Sequence, residues 1–338
     1  AARDAYSAIL ARLNEEKTNS GYGASALSVA AEPLVPSNPN KPRPKLIMAA
    51  AGAAGMAGGL SLVALLMLLD RSIRTLGSGE RVLRIPGLAA VPDVSMTGGK
   101  GMLIYGKDKD SEAAEAFRSL RAAVSTAGRT PGARSFLFTS ARSGEGKSAV
   151  AVNLAASLAQ QGYRTLIIDA NLRAPVLDSV LLDAPSTLGL ADYLAGECDP
   201  EAKLCQQTGL PNLFLFSAGV PKAPPGEILN EAAFARLIQE SLKWFHRVIV
   251  DAPAAGRYAD ALPLARHADA VCLVVRPGVT RKGEALKTIQ RLTASGARPA
   301  GFILNAAPEA AMKEAQANLA AVPFQMPAIY PALPPARA

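Results

Sequence analysis

Hydrophobic and polar positions divide the start of this chain into two stretches of different character. Residues 17–45 contain five prolines between positions 33 and 44, a density that excludes a helix and favours extended polyproline II. Residues 1–16 place apolar side chains at helical spacing instead, which predicts a helix, and it could close a longer coiled coil. Those apolar positions are Tyr6, Ile9, Leu10 and Leu13. The pattern of residues 1–45 therefore predicts the end of a helical segment followed by a linker.

The next stretch, 46–69, carries no charged residue and a single serine. A helix of this length crosses the roughly 30 Å hydrocarbon core of a bilayer, so the pattern predicts a transmembrane helix. A buried core helix is the alternative, although soluble helices of this length usually keep a polar face. Residues 70–109 follow as a predicted juxtamembrane connector.

From residue 110 the pattern changes to short apolar runs that alternate with helical segments. This alternation predicts an α/β fold with a doubly wound, mainly parallel sheet over residues 110–305, with a flexible tail at 306–338. The predicted helices include 110–127, 147–161, 227–242 and 282–295. The predicted strands are Ser135–Thr139, Thr165–Asp169, Leu213–Phe216, Arg247–Asp251, Ala270–Val275 and Gly301–Asn305.

A glycine-rich loop lies between the first of these strands and the helix at 147. Gly144 and Gly146 let backbone N–H groups face a phosphate, Lys147 reaches the β- and γ-phosphates, and the Ser148 hydroxyl ligates Mg²⁺. Ala141 stands where the strict G-x-x-x-x-G-K-[ST] pattern has its first glycine. The spacing therefore predicts ATP and Mg²⁺ as ligands, against the alternative of a glycine-rich turn before an ordinary helix. The predicted nucleotide contacts are Gly144, Glu145, Gly146, Lys147, Ser148 and Ala149.

Two predicted strands end in a carboxylate, Asp169 and Asp251. The carboxyl ends of parallel strands face the crevice in which a nucleotide binds, so both side chains are candidates for catalysis. Asp251 follows the longest buried run and is the predicted metal organiser, while Asp169 is the candidate base that accepts a hydroxyl proton. Either residue alone could instead be a turn or helix N-cap aspartate.

Composition narrows the choice of partners. The formal net charge is +8, but the basic residues are scattered and several flank the apolar stretch, which disfavours nucleic acid as a partner. The three cysteines and two histidines fit no zinc or disulfide pattern.

These motifs resemble the bacterial tyrosine kinases that are fused to Wzz-type polysaccharide co-polymerases. The stretch Thr139–Ser148 matches that family's phosphate loop, which also lacks the first glycine, and Asp251-Ala252-Pro253 resembles its second acidic motif. Asp169-x-Asn171-x-Arg173 resembles its first acidic motif, in which the family carries aspartate where this chain has Asn171. Residues 1–45 look like the end of a periplasmic coiled coil with its linker, and residues 70–75 look like the cytoplasmic exit signature.

The resemblance implies a MinD/ParA-like nucleotide-binding fold, assembly into rings, and delivery of a tail tyrosine to the neighbouring subunit. It also implies that Glu115, Arg118 and Arg121 form an oligomerisation motif. These residues share one helix face, although a solvated charged helix is the alternative. Tyr330 is the only tyrosine after Asn305 and is therefore the predicted phosphoacceptor.

Two residues carry further predictions. Asn171 can orient a metal-bound water but brings no negative charge, so Mg²⁺ affinity is expected to fall. Arg142 lies five residues before Lys147, where MinD/ParA relatives carry a lysine that reaches the partner's nucleotide. We expect Arg142 to contact phosphate, with a solvent-exposed loop arginine as the alternative.

The resemblance implies an inner-membrane tyrosine autokinase with a periplasmic N-terminal segment and a cytoplasmic kinase domain. The positive charges that flank residues 46–69 favour this orientation only weakly, whereas ATP chemistry favours it strongly. The enzyme would control exopolysaccharide or capsule chain length and export, with the polysaccharide polymerase and export machinery as partners. The alternative function is an ATP-binding, oligomerising scaffold with little kinase activity, which Asn171 and the single tail tyrosine favour.

Overall fold

The computed structural model describes residues 2–23, 43–93, 102–103, 111–127, 132–198 and 204–320. The chain forms two compact units, one that ends at Leu68 and one that begins at Leu69. The first unit contains helix α1, Ala2–Gly23, and most of helix α2, Pro44–Leu69. The predicted N-terminal helix is thus present, and it continues seven residues past residue 16, into the stretch predicted as a linker.

Helix α2 contains the apolar stretch predicted to cross a membrane. Residues Pro44–Leu66 have a mean hydropathy of 1.8, and none of that window is buried against protein. A long apolar helix that the described part of the chain leaves uncovered suits a lipid environment, because its side chains would otherwise face water. Length and composition make α2 a candidate transmembrane helix, and the crossing itself stays a prediction.

The second unit is built around one sheet, which has eight strands in the described residues and the order β1-β8-β7-β2-β6-β3-β5-β4. All neighbouring strands are parallel except β4 and β5. All six predicted strands are present, with bounds that agree to within two residues. The strands are β1 Gly87–Val91, β2 Ser135–Ser140, β3 Thr165–Asp169, β4 Cys205–Gln207, β5 Leu213–Phe216, β6 Arg247–Asp251, β7 Ala270–Val275 and β8 Pro299–Asn305.

Both faces of the sheet are covered, which is why the central strands are continuous apolar runs. Helices α4, α5 and α6 pack on one face with the side chains of Phe136, Phe138 and Ile249. Helices α3, α7, α9, α10, α11 and α12 pack on the other face, around Leu137 and Val250. The helices of this unit are α3 Leu76–Leu83, α4 Glu112–Ala127, α5 Lys147–Gln160, α6 Leu177–Leu181, α7 Leu190–Leu194, α8 Pro225–Ile228, α9 Glu231–Trp244, α10 Ala261–Ala265, α11 Lys282–Ala294 and α12 Glu309–Ala320.

The predicted boundaries of the α/β domain at 110 and 305 are wrong. The stretch 70–109 is more than a connector, because it contributes α3 and the edge strand β1, which pairs with β8. At the other end, α12 lies within residues 306–338, which the sequence pattern predicts to be a flexible tail. The predicted helix at 227–242 is also divided, because the Asn230 side chain accepts a hydrogen bond from the Ala233 N–H and caps a new helix, α9.

The segment that follows α2 is attached to the sheet domain by main-chain bonds. Ser72 and Arg281 form an isolated antiparallel bridge. The Ile73 N–H donates to the Thr280 carbonyl at 3.0 Å, and the Lys282 N–H donates to the Arg71 carbonyl at 2.8 Å. Residues 71–73 therefore lie against the turn between β7 and α11.

Candidate nucleotide site

The phosphate loop occupies residues 141–146, between β2 and α5. Gly144 and Gly146 both have a φ of 84°, in the left-handed region that other residues avoid. A Cβ atom on Gly146 would lie only 1.9 Å from Nδ2 of Asn305, whereas one on Gly144 would meet nothing within 4 Å. The strand–loop–helix arrangement is the one predicted, and the second glycine is required by space as well as by conformation.

Glu145 points into the protein rather than toward a ligand. Its side chain is buried, one carboxylate oxygen accepts from the Arg142 N–H at 2.8 Å, and the other accepts from the Thr280 hydroxyl. Its carbonyl accepts from Asn305 Nδ2 at 2.9 Å. Burial raises the pKa of Glu145, and the bonds from Thr280 and Arg142 oppose that rise. The side chain of this predicted nucleotide contact therefore shapes the loop.

We expect a Glu145→Gln variant to change how stability depends on pH. Because the pKa of Glu145 is raised, its contribution to stability is full below the ordinary value of 4.5 and is lost as pH rises through the folded-state pKa. Glutamine does not titrate, so the stability advantage of the parent over the variant should shrink as pH rises above 4.5. Urea unfolding at several pH values measures this difference. The exposed Glu240→Gln is the matched control, and a pH-independent difference for Glu145→Gln would contradict the assignment.

Lys147, Ser148 and Asp251 converge at the start of α5. The Lys147 Nζ lies 3.1 Å from Ser148 Oγ and 3.3 Å from Asp251 Oδ1. Asp251 is fully buried, and its Oδ2 has no hydrogen-bond partner among the described residues. An orphaned carboxylate oxygen near a hydroxyl suits a hard cation such as Mg²⁺, which takes one or two protein oxygens and completes its shell with water and phosphate oxygens. Within the described ranges no cluster of three His, Cys, Asp or Glu side chains provides a self-contained metal cage.

Asp169 lies beside Asp251 because their strands, β3 and β6, pair in register. Its carboxylate is fully buried and accepts N–H bonds from Asn171, Val176 and Leu177, each at 3.1 Å. Burial, and then the charge of Asp251, raise the pKa of Asp169. The candidate base thus anchors the loop at 171–177 in this conformation.

Asn171 lies at the edge of the site with its side chain already engaged. Its Nδ2 donates to the Ala174 carbonyl at 2.6 Å, and its backbone N–H donates to Asp169. The amide therefore stabilises the turn at 171–174. As the sequence indicated, it adds no negative charge beside the two aspartates.

A cavity of about 400 Å³ opens over the phosphate loop. It brings together six of the predicted contacts: Gly144, Gly146, Lys147, Ser148, Ala149 and Asn171. Its lining also includes residues that the sequence did not assign to the site: Asp93, Tyr258, Arg276 and Asn305. Arg276 and Asn305 follow or end parallel strands at their carboxyl ends, the same positional signal that identified the two aspartates.

Arg142 is directed elsewhere. Its guanidinium pairs with Glu284 of α11 at 2.8 Å and 3.0 Å, and its side chain is 44% exposed. Among the described residues it does not line the cavity. A phosphate contact by Arg142 would require this ion pair to open.

The predicted oligomerisation motif separates into two parts on α4. Arg118 pairs with Glu115 at 2.6 Å on the exposed surface. Arg121 instead donates to the Ser157 carbonyl at 3.2 Å and to its hydroxyl at 2.9 Å, which joins α4 to α5 of the same chain. The three residues therefore do not form a continuous ion-pair stripe in this conformation. The predicted phosphoacceptor, Tyr330, lies outside the described residues.

We expect Arg121→Ala to lower the melting temperature by about 2–6 °C, since it removes two hydrogen bonds worth roughly 1–2 kcal/mol. Arg118→Ala removes the exposed ion pair with Glu115 and should lower the melting temperature by less than about 2 °C. Differential scanning calorimetry of the full chain compares the two variants. Equal shifts would show that Arg121 contributes no more to folding than a surface arginine.

Comparisons with known proteins agree with this geometry. The family model for the CobQ/CobB/MinD/ParA nucleotide binding domain matches residues 136–327, more than half of the chain. The chain is 32% identical over 191 residues to a tyrosine-protein kinase, CpsD, of Streptococcus agalactiae, and this match covers 56% of the chain and 81% of CpsD. It is also 30% identical over 304 residues to a succinoglycan biosynthesis transport protein, ExoP, of Rhizobium meliloti. That match covers 81% of the chain but only 38% of ExoP.

Solved structures give the same result. The kinase domain of the Escherichia coli tyrosine kinase ETK superposes with a TM-score of 0.62 at 26% identity, over 68% of this chain and 94% of that domain. The chimerical protein CapA2B2 superposes with a TM-score of 0.63 at 29% identity, over 70% of this chain and all of that one. This chain belongs to the family of bacterial tyrosine kinases, whose fold is the CobQ/CobB/MinD/ParA nucleotide binding domain.

Proposed function

We propose that this chain is an ATP- and Mg²⁺-dependent protein-tyrosine autokinase that regulates the chain length and export of a capsule or exopolysaccharide. The observation that carries the proposal is the convergence of Lys147, Ser148 and Asp251 at the phosphate loop, beneath a cavity of about 400 Å³. The CpsD and ExoP relatives support both halves of the proposal, because one is named for tyrosine kinase activity and the other for polysaccharide transport.

Each site residue has a role in this proposal. Backbone N–H groups of the loop around Gly144 and Gly146 hold the phosphates, and Lys147 neutralises charge on the β- and γ-phosphates. Ser148 and Asp251 would hold Mg²⁺, which when bound supplies further charge neutralisation to the phosphates. The protein contributes positioning and electrostatic stabilisation, as phosphoryl transfer requires.

Asp169 is the candidate base for the hydroxyl proton. Burial and the charge of Asp251 raise its pKa, which favours proton uptake. Its carboxylate is fully buried and accepts from the N–H groups of Asn171, Val176 and Leu177, so a substrate hydroxyl reaches it only if the loop at 171–177 moves. The acceptor in the proposal is Tyr330, delivered from the tail of a neighbouring copy.

The remaining parts of the chain take their roles from the same proposal. Residues 1–45 would be the end of a periplasmic domain of the Wzz type, residues 46–69 would cross the inner membrane, and the α/β domain would be cytoplasmic. The exposed pair Glu115–Arg118 is available for a contact between copies in a ring. The polysaccharide polymerase and export machinery would be the partners. The long apolar helix α2 and the match to ExoP support this arrangement.

A scaffold that binds ATP but transfers little phosphate is the second candidate, and Asn171 favours it. Its amide is committed to the Ala174 carbonyl and brings no charge to the metal site. Assembly driven by nucleotide binding would not need that charge, because Lys147 and the loop N–H groups suffice to hold phosphates.

Incubation of the full chain, purified in detergent, with ATP and Mg²⁺ separates these two functions. An autokinase gives a phosphotyrosine signal that Tyr330→Phe removes, and Tyr163→Phe, remote from the cavity, serves as the matched control. ATP binding without any phosphotyrosine would refute the autokinase and leave the scaffold. A signal that persists in Tyr330→Phe would reject the acceptor assignment alone.

A further inference from the structure

Thr280 lies where three parts of the domain meet. It is fully buried, in the turn between β7 and α11. Its N–H donates to the Arg276 carbonyl at 3.0 Å, its carbonyl accepts from the Ile73 N–H at 3.0 Å, and its hydroxyl contacts Glu145 of the phosphate loop. One residue thus joins the cavity wall, the segment after α2 and the phosphate loop.

The orientation of the Thr280 hydroxyl is fixed by its two partners. Its oxygen accepts from the Arg276 N–H at 2.9 Å, so one lone pair is already used. The hydroxyl proton is donated to the Glu145 carboxylate. Arg276 lines the nucleotide cavity, and a single hydroxyl therefore connects the cavity wall to the phosphate loop.

Glu145 passes this constraint on to the loop backbone. Its second carboxylate oxygen holds the Arg142 N–H, and its carbonyl is held by Asn305. The charged side chain that acts on this carboxylate is Arg142, which itself pairs with Glu284 of α11. At the other end of the loop, Asn305 fills the space beside Gly146. Residues from outside the loop, Glu284 and Asn305, therefore contact both of its ends.

We infer that Thr280 is a positioning residue for the nucleotide, acting through Glu145 on the direction of the loop N–H groups and of Lys147. The inference rests on the proposed function for its effect on phosphoryl transfer, but its effect on ATP binding does not depend on that function. Displacement of a phosphate ligand by about 1 Å can cost on the order of 10²-fold in rate. Loss of the hydrogen bond between Thr280 and Glu145 should therefore have a measurable effect.

Two substitutions at Thr280 test the inference. Thr280→Val keeps the shape and removes the hydroxyl, while Thr280→Ser keeps the hydroxyl and removes a methyl group. We expect Thr280→Val to raise the Kd for ATP·Mg²⁺ at least about 10-fold and to lower kcat/KM by about 10- to 100-fold. We expect Thr280→Ser to stay within about 3-fold of the parent, since the hydrogen-bond geometry is preserved. Isothermal titration calorimetry and initial rates of phosphotyrosine formation on the full chain give both values.

A matched control separates positioning from loss of stability. Thr288 is also buried, and among the described residues its hydroxyl bonds within α11, to the Glu284 carbonyl at 2.8 Å. Thr288→Val should lower the melting temperature comparably while leaving the Kd for ATP unchanged. The inference is overturned if Thr280→Val binds ATP within 3-fold of the parent, if Thr280→Ser is equally impaired, or if Thr288→Val loses as much affinity. A parent chain that binds ATP without phosphorylating tyrosine refutes the proposed autokinase, and the calorimetry still decides the role of Thr280.

Discussion

Replacement of Lys147 by methionine is expected to lower kcat/KM for ATP-dependent tyrosine phosphorylation by at least about 10³-fold, on the order of 4 kcal/mol of transition-state stabilisation. Lys147 carries the positive charge nearest to Asp251 and Ser148, at 3.3 Å and 3.1 Å from their oxygens. Methionine keeps an unbranched side chain, one atom shorter than that of lysine, but cannot neutralise the γ-phosphate as charge develops on it. Initial rates of phosphotyrosine formation at several ATP concentrations measure the loss.

The same substitution leaves Asp251 buried without its cation, which costs stability and could mask the catalytic effect. Lys147→Arg therefore accompanies it, because arginine retains the charge while changing its geometry. Lys243→Met, at an exposed lysine that pairs with Glu240, is the control for an ordinary surface substitution. A Lys147→Met chain that melts like the parent and still phosphorylates tyrosine at more than a tenth of the parental rate would exclude Lys147 from catalysis.

Substitution of Gly146 by alanine is expected to raise the Kd for ATP by about 30- to 1,000-fold. A left-handed conformation costs an alanine about 1–2 kcal/mol, and a Cβ atom 1.9 Å from Asn305 Nδ2 also forces that side chain off the Glu145 carbonyl. The broken hydrogen bond adds about 1–2 kcal/mol. Together these costs favour a loop conformation that no longer directs its N–H groups at phosphates.

Gly144→Ala is the matched comparison, since Gly144 has the same φ of 84° but open space at its Cβ position. The Gly144→Ala variant should lose only the free energy of the left-handed conformation and no contact with Asn305, which corresponds to an increase in Kd of about 5- to 30-fold. Isothermal titration calorimetry with ATP·Mg²⁺ compares the two variants. Equal losses of affinity would mean that the contact between Gly146 and Asn305 has no influence on binding.

The phosphate loop was predictable from sequence because its signal is local. Gly144, Gly146, Lys147 and Ser148 lie within five consecutive positions, between an apolar strand and a helix that the pattern identifies. The position of Asp251 beside the phosphate loop was predictable for a related reason, since parallel strands deliver their carboxyl ends to one edge of the sheet. Lys147 and Asp251, 104 residues apart, meet there at 3.3 Å.

The contacts that Thr280 and Asn305 make with the phosphate loop were not predictable in this way. Thr280 and Asn305 lie 135 and 160 residues from Glu145 in sequence. Asn305 ends a parallel strand as the two aspartates do, but nothing in the sequence around either residue shows that it contacts Glu145. Their approach depends on the order β8-β7-β2 in the sheet, which places the ends of both outer strands beside the loop. Strand order is a tertiary property that periodicity does not encode.

Short elements were missed for local reasons. Strand β1 has five residues between Pro86 and Pro92, and β4 has three residues with two glutamines, so neither gives a recognisable alternation. The contact between Arg121 and α5 was not predictable either, because helical spacing shows which residues share a face and does not show that α5 approaches that face. The Ser157 carbonyl and hydroxyl decide the direction of Arg121.

Helix α5 has a consequence for how this domain can respond to its ligand. Every residue from Lys147 to Ala159 is buried, and most of them are alanine, valine, serine or leucine in close contact with their surroundings. A helix enclosed on all sides has no room to rotate or slide, because close-packed interiors resist such displacement. Helix α5 is therefore a fixed support at the end of the phosphate loop, and we expect a difference between ATP- and ADP-bound forms to be expressed by segments outside this helix. Those segments carry Arg173 and Tyr258, whose side chains stack at 4.5 Å on the accessible rim of the cavity.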